Sequence, residues 1–151
     1  MSNQIFLTEK NFSKLKEEIR KNKGKEIIFS SDDDNLNRKV LEKLPIDILL
    51  INLKERKDFQ KQRSSGFNHV LAKIAKKGNV TIGINLDEIL NSEEKKKAEI
   101  LSRIRQNVTL CNKNMVKMKF ISQKEKGRRD SHDLRALGLV LGMPTWMTKK
   151  L

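Results

Sequence analysis

The chain has 151 residues, a length that suits one domain spanning 1–151, and its 33 Lys and Arg against 19 Asp and Glu leave a net charge of +14 at pH 7. One Cys excludes a disulfide framework and a cysteine-based zinc site, and no stretch approaches the roughly 18 apolar residues that span a bilayer. A surplus of positive charge on this scale attracts polyanions, nucleic acid before membrane, whereas heat adaptation would raise both signs together.

The opening "MSNQIFLTEKNFSKL" shows no basic leader ahead of an apolar block, so no secretory signal is expected and a reducing cytoplasm is the expected compartment. "QIFL" (4–7) is a weak first strand. "KNFSKLKEEIRKNKG" places Phe12, Leu15 and Ile19 on one helical face, with Gly24 where a C-terminal cap belongs. "EIIFS" (26–30) predicts a strand. The Asp run of "SDDDNLNRKVLEKL" suits the start of the next helix. "IDILLIN" (46–52) predicts another strand.

After it comes a long polar loop and then a helix, "SSGFNHVLAKIAKKGN". The spacing puts Phe67, Val70, Leu71, Ile74 and Ala75 on one face, with Ser65 as the expected cap and Gly78–Asn79 as the stop. "VTIGINL" (80–86) is a clean alternating strand. A longer helix is expected from "NSEE", with Asn91 as N-cap and Leu101, Ile104, Val108, Cys111 and Met115 on one stripe. "MKFIS" (118–122) predicts a further strand. A last helix runs from Ser131 to about Gly142 with Leu134, Leu137 and Leu141 inward, and Pro144 forbids its continuation.

Strand and helix alternate throughout, which predicts parallel strands joined by crossover helices in an α/β fold. A full eight-fold barrel needs at least about 200 residues, so a shortened barrel or an open sheet is expected. Parallel strands send every following loop to one face, the carboxyl end of the sheet. Two of those loops are strongly basic: Lys54, Arg56, Lys57, Lys61 and Arg63 after the strand at 46–52, and Lys124, Lys126, Arg128 and Arg129 after the strand at 118–122. Topology alone should therefore bring both to one surface, matched to phosphates.

Acidic residues share that face. A small metal-dependent phosphoesterase could be drawn from Asp32, Asp34, Asp87, Asp133 and His132, but most of these stand where helix caps and turns need them. No His-x-His lies on an early strand and no His-Glu-x-x-His on a helix. Gly66 stands without the further glycines of a phosphate loop, which argues against a nucleotide-binding domain. His69 reads as a solvated residue near a helix start, with a phosphate or partner contact as the weaker alternative. Cys111 reads as a buried small hydrophobe. With one Trp and no Tyr, stacking platforms are scarce, so recognition would rest on charge and shape, as for folded RNA.

Three passages resemble a known family. "RSSGFNHVLAKIAKKGNVTIGINL" carries Arg63, Ser65, Gly66, His69, Val70, Leu71 and Ala72, "SRIRQNVTLCNKNMVKMKFIS" follows, and "HDLRALGLVLGM" carries Asp133, Leu134, Arg135, Leu137, Gly138, Leu141, Gly142 and Met143. Across positions 46 to 143 they are similar to archaeal ribonuclease P protein component 3, relatives of the 30-kDa subunit of the nuclear enzyme. The resemblance implies a TIM-barrel-like fold akin to the histidinol-phosphatase-like (PHP) phosphoesterases but without their metal-binding histidines. Because the chain is shorter than the family norm, a shortened barrel is expected. The resemblance further implies a non-catalytic subunit of the ribonucleoprotein that removes the 5′ leader of precursor tRNA. The ribonuclease P RNA would cut with magnesium, this chain would hold no cofactor, and protein component 2 would join it in a heterotetramer. The basic loop at 54–63 exceeds what the resemblance requires; its RNA contact is read from the residues.

Overall fold

The computed structural model describes residues 3–151. Five strands, β1 (Gln4–Leu7), β2 (Glu26–Ser30), β3 (Ile48–Ile51), β4 (Thr81–Asn85) and β5 (Met118–Ile121), form one sheet in sequential order, each parallel to the next. Between and after them lie α1 (Phe12–Lys21), α2 (Asp34–Lys43), α3 (His69–Lys77), α4 (Leu86–Asn91), α5 (Glu94–Lys113), α6 (Ser131–Val140) and α7 (Thr145–Thr148). Five of these helices start on an Asn or Asp whose side chain accepts a first-turn N–H: Asn11, Asp33, Asn68, Asn85 and Asp130. Each satisfies at least one of the amides that a helix start leaves without a partner, and Asp33 takes two.

The two faces of the sheet are unlike. Ile27, Phe29, Leu49, Ile51, Ile82, Ile84, Met118 and Phe120 point to the side packed by the helices, where they join Leu15, Leu41, Leu71, Ile104 and Cys111 in one core. The intervening Ile28, Ile48, Leu50 and Ile121 form a separate cluster with Phe6 and with no helical residue. A doubly wound sheet has helices on both faces and a reversal in strand order. Sequential order with helices on one face is instead the arrangement of a barrel wall, and the expectation of a shortened TIM-barrel-like α/β fold is met.

The concave side is tight. A Cβ on Gly83 would stand 3.0 Å from Ile48, 3.1 Å from Leu50 and 3.3 Å from Ile121, so any larger residue there would press on three apolar side chains of the flanking strands. Lys119 of β5 reaches Glu26 of β2 across the same side at 3.8 Å. Among the described residues no ladder joins β1 to β5, and the wall stays open.

Several local expectations are corrected. Ser65 does not cap α3; Asn68 does, accepting from the Leu71 amide at 2.9 Å. Val70 is exposed, and the buried face of α3 is Leu71, Ala72 and Ala75. Asn91 ends α4 rather than opening α5, whose N-cap is Glu93. Met115 is exposed beyond the end of α5, so the buried stripe is Ile100, Arg103, Ile104, Asn107, Val108 and Cys111. The α1 C-cap is Asn22, while Gly24 lies in the following turn at φ 94°.

Candidate nucleic-acid interface

Residues 52–68, between β3 and α3, make up the first basic loop. A connection this long without regular structure is ordinarily mobile, but here side chains from three helices, α2, α4 and α5, hold it. Glu88 accepts the Leu53 and Lys54 amides at 2.8 and 3.0 Å, one on each carboxylate oxygen. Arg103, 2% exposed in the middle of α5, donates to the carbonyls of Leu53 and Arg56, both at 2.9 Å, and to the Asp58 carboxylate at 3.0 Å. Gln106 donates to the Arg63 carbonyl at 3.2 Å and the Ser65 hydroxyl at 3.0 Å, and Asn107 to the Ser65 carbonyl at 3.0 Å. Positions 103, 106 and 107 share one helical face, so α5 presents a polar strip to the loop beside its apolar stripe.

Asp58 gathers the loop from within. Its Oδ1 also accepts the Ser64 amide at 2.8 Å, and Arg63 approaches its Oδ2 at 3.5 Å. The Ser64 amide first, and then Arg103, hold its carboxyl below the ordinary value of 3.8. Arg56 forms a two-pronged pair with Asp34 at 2.8 and 2.9 Å and donates from Nε to the Asn52 carbonyl at 2.8 Å. Only 11% of its side chain is exposed, so Arg56 locks the loop to α2 instead of offering a free guanidinium. Lys57, Lys61 and Arg63 are exposed.

The second basic loop follows β5. Asp87 accepts the Ser122 hydroxyl at 2.6 Å and the Gln123 amide at 2.9 Å. A single 3-10 turn, Glu125–Gly127, folds back on this pair. A Cβ on Gly127 would collide with the Ser122 hydroxyl and the Asp87 carboxylate. Lys124, Lys126, Arg128 and Arg129 are all exposed beyond that fixed base, Arg129 bonding back to the Lys126 and Arg128 carbonyls, both at 3.0 Å. Because Asp87 and Glu88 are neighbours in the first turn of α4, one short helix at the carboxyl end of β4 braces both loops. The two basic segments share one rim.

The acidic residues of that rim have structural duties. Asp33 caps α2, Asp130 caps α6, Asp34 holds Arg56, Asp87 holds the second loop and Glu88 the first. Burial pushes the Glu88 carboxyl above its ordinary 4.5, against the pull of its two amide donors. Asp32 lies near Asn52, whose amide reaches it at 3.5 Å and donates to Ser30 at 3.0 Å, while Asn85 donates to Asn52 at 2.9 Å. His132 and Asp133 sit exposed in the first turn of α6. Among the described residues no three His, Cys, Asp or Glu side chains gather in a group that could hold a metal ion. The phosphoesterase set of Asp32, Asp34, Asp87, Asp133 and His132 is not brought together as a unit.

The family-motif positions acquire local reasons. Ser65 is buried under Gln106 and Asn107. Gly66, at φ 68°, lies against the Arg56 guanidinium, where a Cβ would collide. His69 is the exposed first residue of α3, and Arg135 is exposed on α6. Gly138 is buried where a Cβ would press on Met143 and Leu151, at 2.9 and 3.0 Å, and Gly142 turns the chain at φ 93° so that α7 folds back on α6. The polar anchors Arg103, Gln106 and Asn107 escaped the sequence reading. Arg103 and Asn107 do continue the three-and-four spacing of Ile100, Ile104 and Val108, which was the available signal.

Sequential parallel strands, helices on one face and carboxylates committed to holding loops define a barrel-wall protein whose rim presents cations. Residues 27–151 match the family described as RNase P subunit p30, and the chain belongs to that family. The match begins well before the motif-bearing segment that starts at position 46. Ribonuclease P protein component 3 of Methanococcoides burtonii is 30% identical over 143 residues, covering 92% of this chain and 56% of that protein. That of Methanosarcina acetivorans is 36% identical over 120 residues, covering 78% of this chain and 47% of that protein. The chain thus spans about half the length of the curated relatives it matches. A chain in the cryo-EM structure of archaeal ribonuclease P with mature tRNA superposes with a TM-score of 0.76 at 24% identity, over 97% of this chain and 62% of that one. That likeness bears on the fold.

Proposed function

We propose that this chain acts as one unit, a protein subunit of a ribonuclease P that removes the 5′ leader of precursor tRNA. It supports a catalytic RNA and does not itself cut. Lys57, Lys61 and Arg63 from one loop and Lys124, Lys126, Arg128 and Arg129 from the other contact phosphates of the ribonuclease P RNA. Arg56 serves them by position. Magnesium belongs to the RNA, protein component 2 is the partner subunit, in a heterotetramer, and the cytoplasm is the compartment. Among the described residues no helix is long and apolar enough to cross a membrane.

The observation that carries the reading is the brace at α4, through which Asp87 and Glu88 fix two distant basic loops at one rim. Membership of the p30 family and the component 3 relatives support the same reading. Each phosphate contact released should change the salt dependence of binding by roughly 0.7–0.9 in log–log slope. Alanine at Lys57, Lys61, Lys124 and Lys126 should therefore weaken RNA association and flatten its dependence on salt. Reconstitution of precursor tRNA cleavage from the cognate RNA, component 2 and this chain provides the functional check. Equal cleavage with and without the chain, or equal slopes for the wild type and the alanine variant, would overturn the proposal.

A further inference from the structure

Phe59 is the most exposed large hydrophobic side chain of the described residues, at 71%. The other phenylalanines are accounted for. Phe29, Phe67 and Phe120 are buried, Phe6 packs on the concave cluster, and Phe12 packs on the core with Lys39 over its ring at 4.3 Å. Trp146 is part-buried and donates from its indole nitrogen to Asn112 at 3.0 Å. Leaving a whole aromatic ring in water forfeits the gain that burial brings. It also does so on a segment that is otherwise well satisfied.

The backbone beneath that ring is fixed. The Phe59 amide donates to the Gln62 carbonyl at 2.8 Å, closing a tight turn over 59–62. On one side Asp58 is held by Arg103 and the Ser64 amide, and on the other Gln106 holds the Arg63 carbonyl. A rigid tip loses little further freedom when it binds, which raises what a single contact contributes.

The neighbours of the ring indicate what it meets. Lys57, Lys61 and Arg63 are exposed within four positions of it, and Gln60 and Gln62 complete the turn. A protein interface is built around a contiguous apolar centre, and this turn offers no second apolar side chain. One flat ring ringed by cations instead suits a partner that joins a π-face to a phosphate. We propose that Phe59 stacks on an unpaired nucleobase of RNA while the flanking cations hold the adjoining phosphates. The proposal rests on the RNA-contact reading above and adds to it a preference for a single-stranded segment at the first loop.

The test uses the full chain with two RNA probes, a short single strand and a duplex of matched charge. Phe59→Ala should weaken binding of the single strand by roughly five- to 150-fold, the range for loss of one stacked base. It should leave duplex binding, thermal stability and the salt slope unchanged, because stacking releases no counterions. Phe59→Leu should lose as much as Phe59→Ala, whereas Phe59→Trp should bind as wild type and have its fluorescence quenched by the single strand. Full retention by Phe59→Leu, an equal loss on the duplex, or no loss for Phe59→Ala would overturn the inference. So would intact RNA affinity with weakened capture of component 2. Alanine at Lys57 and Lys61 separates the two readings. If that variant loses affinity and Phe59→Ala does not, stacking alone fails; if wild type binds neither probe, both fail.

Discussion

Asp87 and Glu88 are adjacent in sequence, and each carboxylate holds a different loop: Asp87 takes Ser122 and Gln123, and Glu88 takes Leu53 and Lys54. The pair makes α4 a brace between connections some seventy positions apart, and the two halves of the brace should fail separately. Glu88→Ala should cost about 1–3 kcal/mol through unsatisfied amides and speed amide exchange at Leu53 and Lys54 while sparing Gln123. Asp87→Ala should do the reverse. Exchange rising in both loops for either variant would mean that the loops are coupled by some other route.

Asp58 and Glu88 should respond to pH with opposite sign. Asp58 has a folded value below the ordinary 3.8, so its contribution is complete above 3.8 and fades as pH falls through the lower folded value. Glu88 has a folded value above the ordinary 4.5, so its contribution is complete below 4.5 and is lost as pH rises through the folded value. Asp58→Asn should flatten the acid limb of a stability-against-pH curve, and Glu88→Gln the stretch just above 4.5. Denaturant midpoints measured at closely spaced pH values would detect both. The same slope in either variant as in wild type would contradict the assignment.

Gly66 lies beneath the Arg56 guanidinium in a left-handed conformation. Gly66→Ala should cost about 1–3 kcal/mol from backbone strain, and the collision with Arg56 adds to it. At roughly 2–4 °C per kcal/mol for a chain of this size, thermal unfolding would resolve the loss. If the collision contributes, adding Arg56→Ala to Gly66→Ala should cost less than Arg56→Ala costs alone. Simple additivity would leave strain as the whole cause.

How far the sequence was legible follows from which physics was local. The five strands were visible because short apolar runs bounded by turn signals suit strands buried on both faces, as β2 and β3 are, and parallel topology alone sends the connections that follow them to one edge of the sheet. The Asp run at 32–34 could be placed at a helix start because capping is settled within four residues. Arg103 could not, since its partners Leu53, Arg56 and Asp58 lie 45 to 50 positions away and a charged residue on an apolar stripe reads as a flaw until the loop it satisfies is seen. Arg56 is the converse case. Four other basic residues in its loop made it look like one of a set, and only the fold brings Asp34 to it.

Cys111 gives a reporter for the core that joins α5 to the sheet. It is fully buried on the same stripe as Ile104 and Val108, and burial pushes its thiol up to about 12. Only the thiolate attacks alkylating reagents, so near pH 8 the native thiol should be present as thiolate in only about one part in ten thousand, besides being sterically shielded. Alkylation should therefore proceed through opening of the core. The rate should rise with denaturant in parallel with global unfolding, and destabilising variants such as Gly66→Ala should accelerate it in proportion to their effect on the unfolding equilibrium. Rapid modification in the native protein, insensitive to denaturant and to Gly66→Ala, would show that α5 leaves the sheet locally, and with it the Arg103 anchor that keeps the first basic loop in place.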